Sequence, residues 1–339
     1  CYINMNDKLE YYLNILNLNQ NKEYVVEYKI GRSCYLIIDR LTSEKKVIKF
    51  EPEAVGILHV IWRYIFSGSL PFQNELRIVS DNCYLNDFNP QTLGVTKFNN
   101  VSFYVMNYIK DVEPLELAKI NKPVKERIGG LLYDIYTLDR PEEWHFLKEQ
   151  VFRLLESPSR RIVSQAIKAS KKHPIRLGKF ISFILTNKMN DLFMVKNILP
   201  GFIHNDMGFN NLLIESSSKM YVIDWEDALW EKNWPLVDIT DIALDIESGQ
   251  FDRVIIMRFL EEILDKNTHV TMSEIMRHLS FGYLRSLLRI INVDKVEETT
   301  KKRLVEKVNR LLHYKTICKT GKVNNLICKD LEKIIYRRL

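Results

Sequence analysis

Several features that mark membrane, secreted and zinc-binding proteins are missing from this sequence. No apolar run is long enough to span a bilayer, and residues 1–7 contain no basic segment followed by an apolar one. We therefore expect neither a membrane span nor a secretion signal. The seven histidines form no HExxH or HxxxH pair, and no two cysteines stand at metal or redox spacing. An odd number of cysteines without such spacing is typical of a reducing compartment, so we expect a cytoplasmic protein. The cysteines are Cys1, Cys34, Cys83, Cys318 and Cys328.

Composition indicates a globular protein with one large or two ordinary domains. The 339 residues are 46% hydrophobic and 27% charged, and no repeats or low-complexity linkers interrupt them. The formal charge of +6 is unevenly distributed, since residues from Lys301 onward are strongly basic and residues 224–247 are acidic. A basic end could meet nucleic acid or an acidic partner, but we interpret it as the solvated face of terminal helices.

The N-terminal third has the pattern of a small antiparallel sheet accompanied by helices. A helix is predicted over 7–18, and apolar residues recur at helical spacing from Glu53 to Phe66. Short runs rich in β-branched and aromatic residues, separated by turn residues, predict strands. These runs are 24–28, 34–38, 46–50, 76–79 and 101–108.

After Pro114 the pattern becomes mostly helical, with one interruption. Between Phe202 and Trp225 short apolar runs predict strands. We interpret the chain as an α+β protein with a β-rich lobe over 1–109 and a larger helical lobe over 110–339. The predicted helices of the second lobe are 125–138, 144–155, 162–170, 177–185, 251–264, 273–291 and 297–313.

The strand-rich interruption contains the residues best suited to chemistry. His204-Asn205-Asp206 follows an apolar run, Asn211 lies five positions after Asp206, and Asp224 ends a later apolar run at 221–223. Phosphoryl transfer needs a carboxylate to orient an attacking hydroxyl, and an amide oxygen and a second carboxylate to hold magnesium against nucleotide phosphates. The spacing of these side chains therefore predicts a kinase-like phosphotransferase.

The motif resembles the catalytic loop of the aminoglycoside phosphotransferase and choline kinase family, relatives of the protein kinases. Further segments resemble the family in the family's order, between about Tyr24 and Asp241. Segment 46–50 resembles its third strand, 53–58 the following helix and 103–109 the hinge strand. Segment 128–139 resembles the first helix of the large lobe, 223–226 the metal-binding strand and 235–239 the structural Asp segment. The resemblance implies a protein-kinase-like bilobal fold.

The resemblance also implies roles for the residues of the loop. Asp206 would be the catalytic base, and Asn211 and Asp224 would hold Mg²⁺ through hard oxygen donors. His204 would be a scaffold residue whose ring hydrogen-bonds the backbone near the loop. Asn205 tilts the comparison toward choline and ethanolamine kinases, because many antibiotic kinases have glycine at this point.

Other residues would bind the nucleotide, ATP or GTP. Lys49 would reach the phosphates, with Glu53 as its ion-pair partner and Glu51 or Glu75 as alternatives. Gly31 and Ser33 would touch phosphate, although a plain hairpin turn is the alternative for that segment. In the hinge, backbone groups would face the adenine edge and Met106 would pack on the ring, although a core position is the alternative. The hinge residues concerned are Asn107, Tyr108 and Ile109.

Acidic and aromatic residues after the metal strand suggest a cationic acceptor. Carboxylates lining a cleft would favour an amine, and an aromatic ring such as Trp230 can hold a quaternary ammonium. Both groups of side chains could equally be surface or packing residues. The carboxylates selected are Glu226, Asp227 and Asp241.

Three function classes follow from the sequence. The first is a kinase for a small amino-bearing alcohol, either an aminoglycoside or other antibiotic, giving resistance, or a metabolite such as choline, ethanolamine or a sugar. The second is a non-catalytic nucleotide-binding regulator, which the presence of Lys49, Asp206, Asn211 and Asp224 opposes. The third is an RNA- or protein-directed kinase that docks through its basic C-terminus. The sequence leaves the oligomeric state open.

Overall fold

The chain folds into two compact units in the computed structural model. The first consists of Cys1–Pro114 together with Asn210–Ala228, and the second of Leu115–Phe209 together with Leu229–Leu339. The sequence interpretation places one boundary after Ile109, whereas the compact units assign 210–228 to the N-terminal segment. The structure describes residues 5–30, 33–50, 75–76, 78–79, 87–90, 92–98, 101–110, 112, 117, 119–138, 158–186, 201–215, 219–231, 236–247, 249–266 and 272–311.

A five-stranded antiparallel sheet forms the centre of the first unit. Its strands follow the order β1-β2-β3-β5-β4, and Val, Ile, Tyr and Phe, which favour the pleated conformation, are frequent in them. Lys49 on β3 pairs with Cys34 on β2 and Tyr104 on β5, which fixes its position in the sheet. The strands are β1 (Tyr24–Lys29), β2 (Cys34–Asp39), β3 (Lys45–Phe50), β4 (Thr92–Phe98) and β5 (Val101–Asn107).

Helix α1 (Met5–Gln20) covers one face of this sheet. Leu9, Tyr12 and Leu16 recur at helical spacing and are buried against aromatic residues of the strands. The ring centroids of Tyr12 and Phe103 lie 4.6 Å apart. Complete burial of one such apolar side chain contributes about 1.5 to 3 kcal/mol, so this contact anchors the helix to the sheet.

The segment 76–79 corrects one prediction, because its described residues are helical rather than extended. Leu76, Ile78 and Val79 look like a strand in sequence, since two of them are β-branched. In the structure Leu76 and Val79, three positions apart, pack together against Leu36 and Val47 of the sheet. Helical spacing is what brings positions i and i+3 to the same face. Strand β4, by contrast, has no counterpart among the predictions.

A short hairpin completes the first unit. Strands β7 (Leu212–Ile214) and β8 (Met220–Val222) pair antiparallel, and Val222 N–H donates to the Phe88 carbonyl at 2.6 Å. Past the last strand pair, Ile223 N–H donates to the Asn211 carbonyl at 3.0 Å. The hairpin therefore brings Asn211 next to the residue that precedes Asp224.

The second unit is mainly helical, and its core is centred on one long helix. Helix α7 (Met272–Ile291) contributes Leu284, Leu287, Leu288 and Ile291 to the buried cluster of this unit. The described helices are α2 (Lys122–Tyr136), α3 (Pro158–Ser170), α4 (Leu177–Thr186), α5 (Val237–Ile242), α6 (Arg253–Lys266), α7 (Met272–Ile291) and α8 (Glu298–Leu311). The prediction over 144–155 lies outside the described residues, as does the one over 53–66 in the first unit.

Two small strand pairs accompany these helices. Strand β6 (Gly201–Ile203) pairs antiparallel with β9 (Leu229–Glu231), and β10 (Leu244–Asp245) pairs with β11 (Gln250–Phe251). All three residues of β6 are buried. This strand fixes the start of the loop that follows it at His204.

Gly282 allows α7 to approach α5 closely. A Cβ atom at this position would lie 2.3 Å from Thr240 Cγ2, well inside van der Waals contact. We expect Gly282→Ala to lower the free energy of unfolding by about 1 to 3 kcal/mol, because overpacked cores must shift backbone or side chains. Thermal denaturation would measure the change. Gly178→Ala is the matched control, since no atom lies within 4 Å of its added Cβ; equal melting temperatures for the two variants would contradict this account.

The described helices include none with the combined length and apolar character needed to cross a membrane.

Candidate functional site

The loop after β6 is held by a buried carboxylate behind it. Asp238 on α5 accepts hydrogen bonds from the backbone N–H groups of His204 at 2.6 Å and Asn205 at 2.8 Å. Burial raises the pKa of Asp238 to about 6, and His204 and the two backbone donors oppose that rise. Asn205 has φ +66°, a left-handed conformation that asparagine tolerates better than most residues. Asp238 and Asn205 together shape the turn that presents Asp206.

His204 supports the loop through its ring. The side chain is completely buried, and its Nδ1 accepts a hydrogen bond from the backbone N–H of Asp206 at 3.3 Å. This contact is the scaffold role that the sequence suggests for His204. It fixes the backbone of the residue predicted to act as base.

The Asp206 carboxylate forms an ion pair with Arg289 of α7. The Asp206 side chain is 37% exposed and that of Arg289 is 35% exposed, so both reach solvent. No motif in the sequence indicates this role of Arg289. The carboxylate is therefore accessible and lies beside a guanidinium of the same unit.

Asp241, predicted to bind a cationic acceptor, is instead buried among cations of the protein. Its side chain is 3% exposed and forms ion pairs with Arg285 and, at 2.9 Å, with Arg289. Ser286 Oγ donates to its other oxygen at 2.6 Å. Because these donors already surround the carboxylate, its arrangement opposes the predicted role in binding an acceptor amine.

Lys49 lies at the centre of an acidic group in the first unit. Its ammonium is 2.6 Å from Glu75 Oε2, 2.7 Å from Asp224 Oδ1 and 3.3 Å from Glu226 Oε1. Glu53, predicted as its partner, lies outside the described residues; the partner observed on the helical segment is Glu75, one of the two alternatives. Glu226, predicted near an acceptor, lies here beside the lysine.

A buried hydroxyl orients Glu75. The Tyr104 hydroxyl donates to Glu75 Oε1 at 2.9 Å, while Oε2 contacts Lys49. Burial and the neighbouring Glu75 raise the pKa of Tyr104 well above its usual value, so the hydroxyl keeps its proton. Tyr104 and Lys49 thus fix the side chain of Glu75 from both sides, and no motif in the sequence indicates the contact with Tyr104.

The pKa values of Glu75 and Lys49 are both raised in this acidic group. Burial raises the pKa of Glu75 to about 7, although Lys49 opposes that rise. For Lys49 burial acts to lower the pKa, but Glu75, Asp224 and Glu226 outweigh it, and the pKa is raised. The lysine therefore stays an ammonium at neutral pH, among more carboxylates than it can neutralise.

The surplus of carboxylates suits a divalent cation. Oxygen atoms of Glu75, Asp224 and Glu226 lie within 4.8 Å of one another. Asn211 is buried, and Asn210 Nδ2 donates to its side-chain oxygen at 3.0 Å. Carboxylate and amide oxygens are the hard donors that Mg²⁺ prefers, so the donor set present in the first unit fits this ion.

The other predicted site residues lie in the first unit's sheet region or outside the described residues and side chains. Ser33 is buried, and Met106 packs in a core cluster with Leu36 and Val47, which is the alternative considered for Met106. Asn107 Oδ1 accepts from Lys46 Nζ at 2.8 Å, and Tyr108 and Ile109, half-buried, follow β5. Gly31 lies outside the described residues. So do the side chains of Asp227 and Trp230, whose backbones belong to a 3₁₀ turn and to β9 respectively.

Solved structures of small-molecule kinases are similar to this fold. An ethanolamine kinase from Plasmodium vivax superposes with a TM-score of 0.56 at 14% identity, over 90% of this chain and 85% of that one. The choline kinase LicA from Streptococcus pneumoniae gives 0.52 at 14% identity, over 89% and 99%. An aminoglycoside phosphotransferase from Alicyclobacillus acidocaldarius gives 0.51 at 13% identity, over 92% and 95%.

At the level of sequence, no family model matches the chain and no curated protein is similar to it. The structural similarity nevertheless spans nearly the whole length of the choline kinase and of the aminoglycoside phosphotransferase. The α+β, protein-kinase-like fold predicted from the sequence is therefore confirmed, and with it the resemblance to these kinases in fold.

Proposed function

We propose that this chain is a phosphotransferase that moves the γ-phosphoryl group of ATP or GTP to a hydroxyl of a small molecule. The observation that carries the proposal is the arrangement around Lys49, an ammonium held between Glu75 and Asp224. A fixed ammonium next to metal-binding carboxylates is the machinery that phosphoryl transfer requires, since this chemistry depends on positioning and charge neutralisation. Similar structures solved with AMP or with ADP support nucleotide binding.

In this proposal the first unit binds the nucleotide. Lys49 contacts the phosphates, and Tyr104 keeps Glu75 in place to hold the ammonium. Asp224 and Asn211, with Glu226 as a further oxygen donor, would hold Mg²⁺. When bound, this ion would supply positive charge against the phosphate oxygens.

The second unit supplies the base. Asp206 accepts the proton of the acceptor hydroxyl as that oxygen attacks the γ-phosphorus and the bond to the β–γ bridging oxygen breaks. Asp238 and His204 support this role, because they fix the backbone N–H groups from His204 to Asp206. The proposal involves no covalent enzyme intermediate.

For the acceptor we propose an amino-bearing alcohol, in the cytoplasm. The structural relatives include a choline kinase, an ethanolamine kinase, and phosphotransferases for aminoglycosides and for spectinomycin. Both an antibiotic, with a resistance role, and a metabolite such as choline remain within the proposal. Of the residues predicted to bind the amine, Asp241 and Glu226 are engaged in protein ion pairs, which leaves Asp227 and Trp230 as candidates.

Transfer of labelled phosphate from ATP in the presence of Mg²⁺ tests the proposal. The acceptors would be aminoglycosides, spectinomycin, choline, ethanolamine and amino sugars, each assayed singly with the wild type and with Asp206→Asn. We expect a labelled product from one acceptor class with the wild type only. A chain that binds ATP yet labels none of these acceptors would contradict the proposed substrate class, and a chain that binds no nucleotide would contradict the proposed function.

A further inference from the structure

One face of α7 meets the loop that contains Asp206. Arg285, Ser286 and Arg289 stand at helical spacing i, i+1 and i+4, and all three contact Asp241 on α5. Arg285 also donates through Nη2 to the Asn205 carbonyl at 3.3 Å. The helix thus reaches the loop at the residue just before the proposed base, as well as at the base itself.

Arg289 joins two carboxylates through the two arms of its guanidinium. Nη1 lies 2.9 Å from Asp241 Oδ2, and Nη2 donates to Asp206 Oδ1. Asp241 is buried and receives two further donors, so this end of the bridge is fixed. A planar guanidinium fork transmits that fixed geometry to its second partner, which a flexible ammonium does not.

The charge of the bridge is secure at neutral pH. Burial acts to lower the pKa of Arg289, but Asp241 and Asp206 outweigh it and raise the pKa. Arg285 pairs with Asp241, and Arg289 pairs with both Asp241 and Asp206. The guanidinium of Arg289 therefore places a lasting positive charge against the Asp206 carboxylate.

From this geometry we infer that Arg289 is a positioning residue for Asp206, with Asp241 as its anchor; the inference rests on the proposed function. Arg289 holds Oδ1 and thereby sets the plane of the carboxylate that receives the acceptor proton. The proton leaves the hydroxyl for Asp206, the hydroxyl oxygen bonds to the γ-phosphorus, and the nucleoside diphosphate departs with the electrons of the broken bond. Arg289 itself gains and loses no proton.

Replacing Arg289 separates this role from nucleotide binding. With the acceptor found for the wild type, we expect Arg289→Ala to lower kcat by about 10- to 100-fold, as displacement of a reacting group by about 1 Å does. The KM for ATP should stay within about twofold, because the ion-pair partners of Arg289 among the described residues, Asp206 and Asp241, are not residues proposed to hold the nucleotide. Arg258→Ala, which removes a half-exposed arginine paired within α6, is the matched control.

Chemical rescue distinguishes positioning from mere stability. Added guanidinium ion should restore part of kcat in Arg289→Ala and none in Asp206→Asn, while urea, similar in shape but uncharged, should restore none. Arg289→Lys keeps the charge without the fork, so its kcat should lie between those of the wild type and Arg289→Ala. This variant also serves if the alanine variant does not fold.

The possible results distinguish failure of the inference about Arg289 from failure of the proposed function. A kcat equal to that of the wild type in Arg289→Ala or Arg289→Lys would overturn the inference while leaving the proposed function intact, provided that Asp206→Asn is inactive. Loss of kcat accompanied by a lowered melting temperature and no response to guanidinium would identify a structural ion pair and also overturn it. A wild type without phosphoryl transfer would remove the proposed function, and the inference with it.

Discussion

Asp206→Asn is expected to lower kcat by about two to four orders of magnitude, the usual contribution of a positioned general base. The amide has nearly the shape of the carboxylate and can still accept from Arg289, but it cannot take a proton from the acceptor hydroxyl. Binding of Mg²⁺ and ATP should be retained, because Lys49, Asn211 and Asp224 are unchanged. Steady-state kinetics and calorimetric titration of nucleotide measure the two effects separately.

Asp294→Asn is the control for that substitution. It makes the same change at a carboxylate that is 84% exposed and paired with Lys172 on the surface, so kcat should not move. Wild-type turnover in Asp206→Asn would show that another group accepts the proton. Loss of nucleotide binding together with turnover would mean instead that Asp206 supports the fold of its loop.

Asp224→Ala is expected to weaken binding of the Mg²⁺–ATP complex by about 100-fold, because loss of a direct ligand should cost at least the roughly 10- to 100-fold that loss of an outer partner of a metal ligand costs. The variant removes one carboxylate of the group around Lys49 and leaves the ion pair with Glu75 in place. Metal-free ATP should bind as well as before or better, because one negative charge beside the ammonium is gone. Titrations of ATP with and without Mg²⁺ would reveal this opposite response.

Asp294→Ala is the control for Asp224→Ala. Asp294→Ala shortens an acidic side chain far along the sequence from the group around Lys49 and should change neither titration. If Asp224→Ala weakened the binding of metal-free ATP and of Mg²⁺–ATP equally, Asp224 would act by holding Lys49 and not by holding the ion. Unchanged binding in both titrations would exclude either role.

Four of the five strands of the sheet in the first unit could be predicted from the sequence, because their physical signal is local. Predicted runs at 24–28, 34–38, 46–50 and 101–108 match β1, β2, β3 and β5 to within one residue at each end. Each combines β-branched and aromatic residues with turn residues on either side. The loop from His204 to Asp206 could be recognised for a similar reason, since its polar residues are adjacent in the sequence.

Glu75 shows where such reasoning fails. Its neighbours Ile78 and Val79 favour a strand, yet packing against Leu36 and Val47 selects a helix. The pairing of Glu75 with Lys49 spans 26 positions, and no local pattern fixes that distance. Sequence reasoning could therefore name Glu75 as an alternative partner, but could not select it.

The role predicted for Asp241 could not be judged from the sequence for a different reason. Asp241 stands in an acidic stretch that looks solvated, but its partners Arg285 and Arg289 are 44 and 48 positions further along. Only the packing of α7 on α5 brings them together. The charge of a site depends on such distant partners, so the local acidic character of 224–247 says little about the acceptor.

The discontinuous make-up of the first unit has a consequence for how the chain folds during its synthesis. Domains generally fold as they emerge from the ribosome, beginning at the N-terminus. Here the sheet and Lys49 emerge early, but β7, β8 and Asp224 belong to Asn210–Ala228 and follow only after Leu115–Phe209 has been translated. The nascent N-terminal segment must therefore wait, with its hairpin missing, while part of the next unit is made. A chain that ends at Pro114 therefore lacks residues 210–228 of the first unit, the unit that we propose binds the nucleotide.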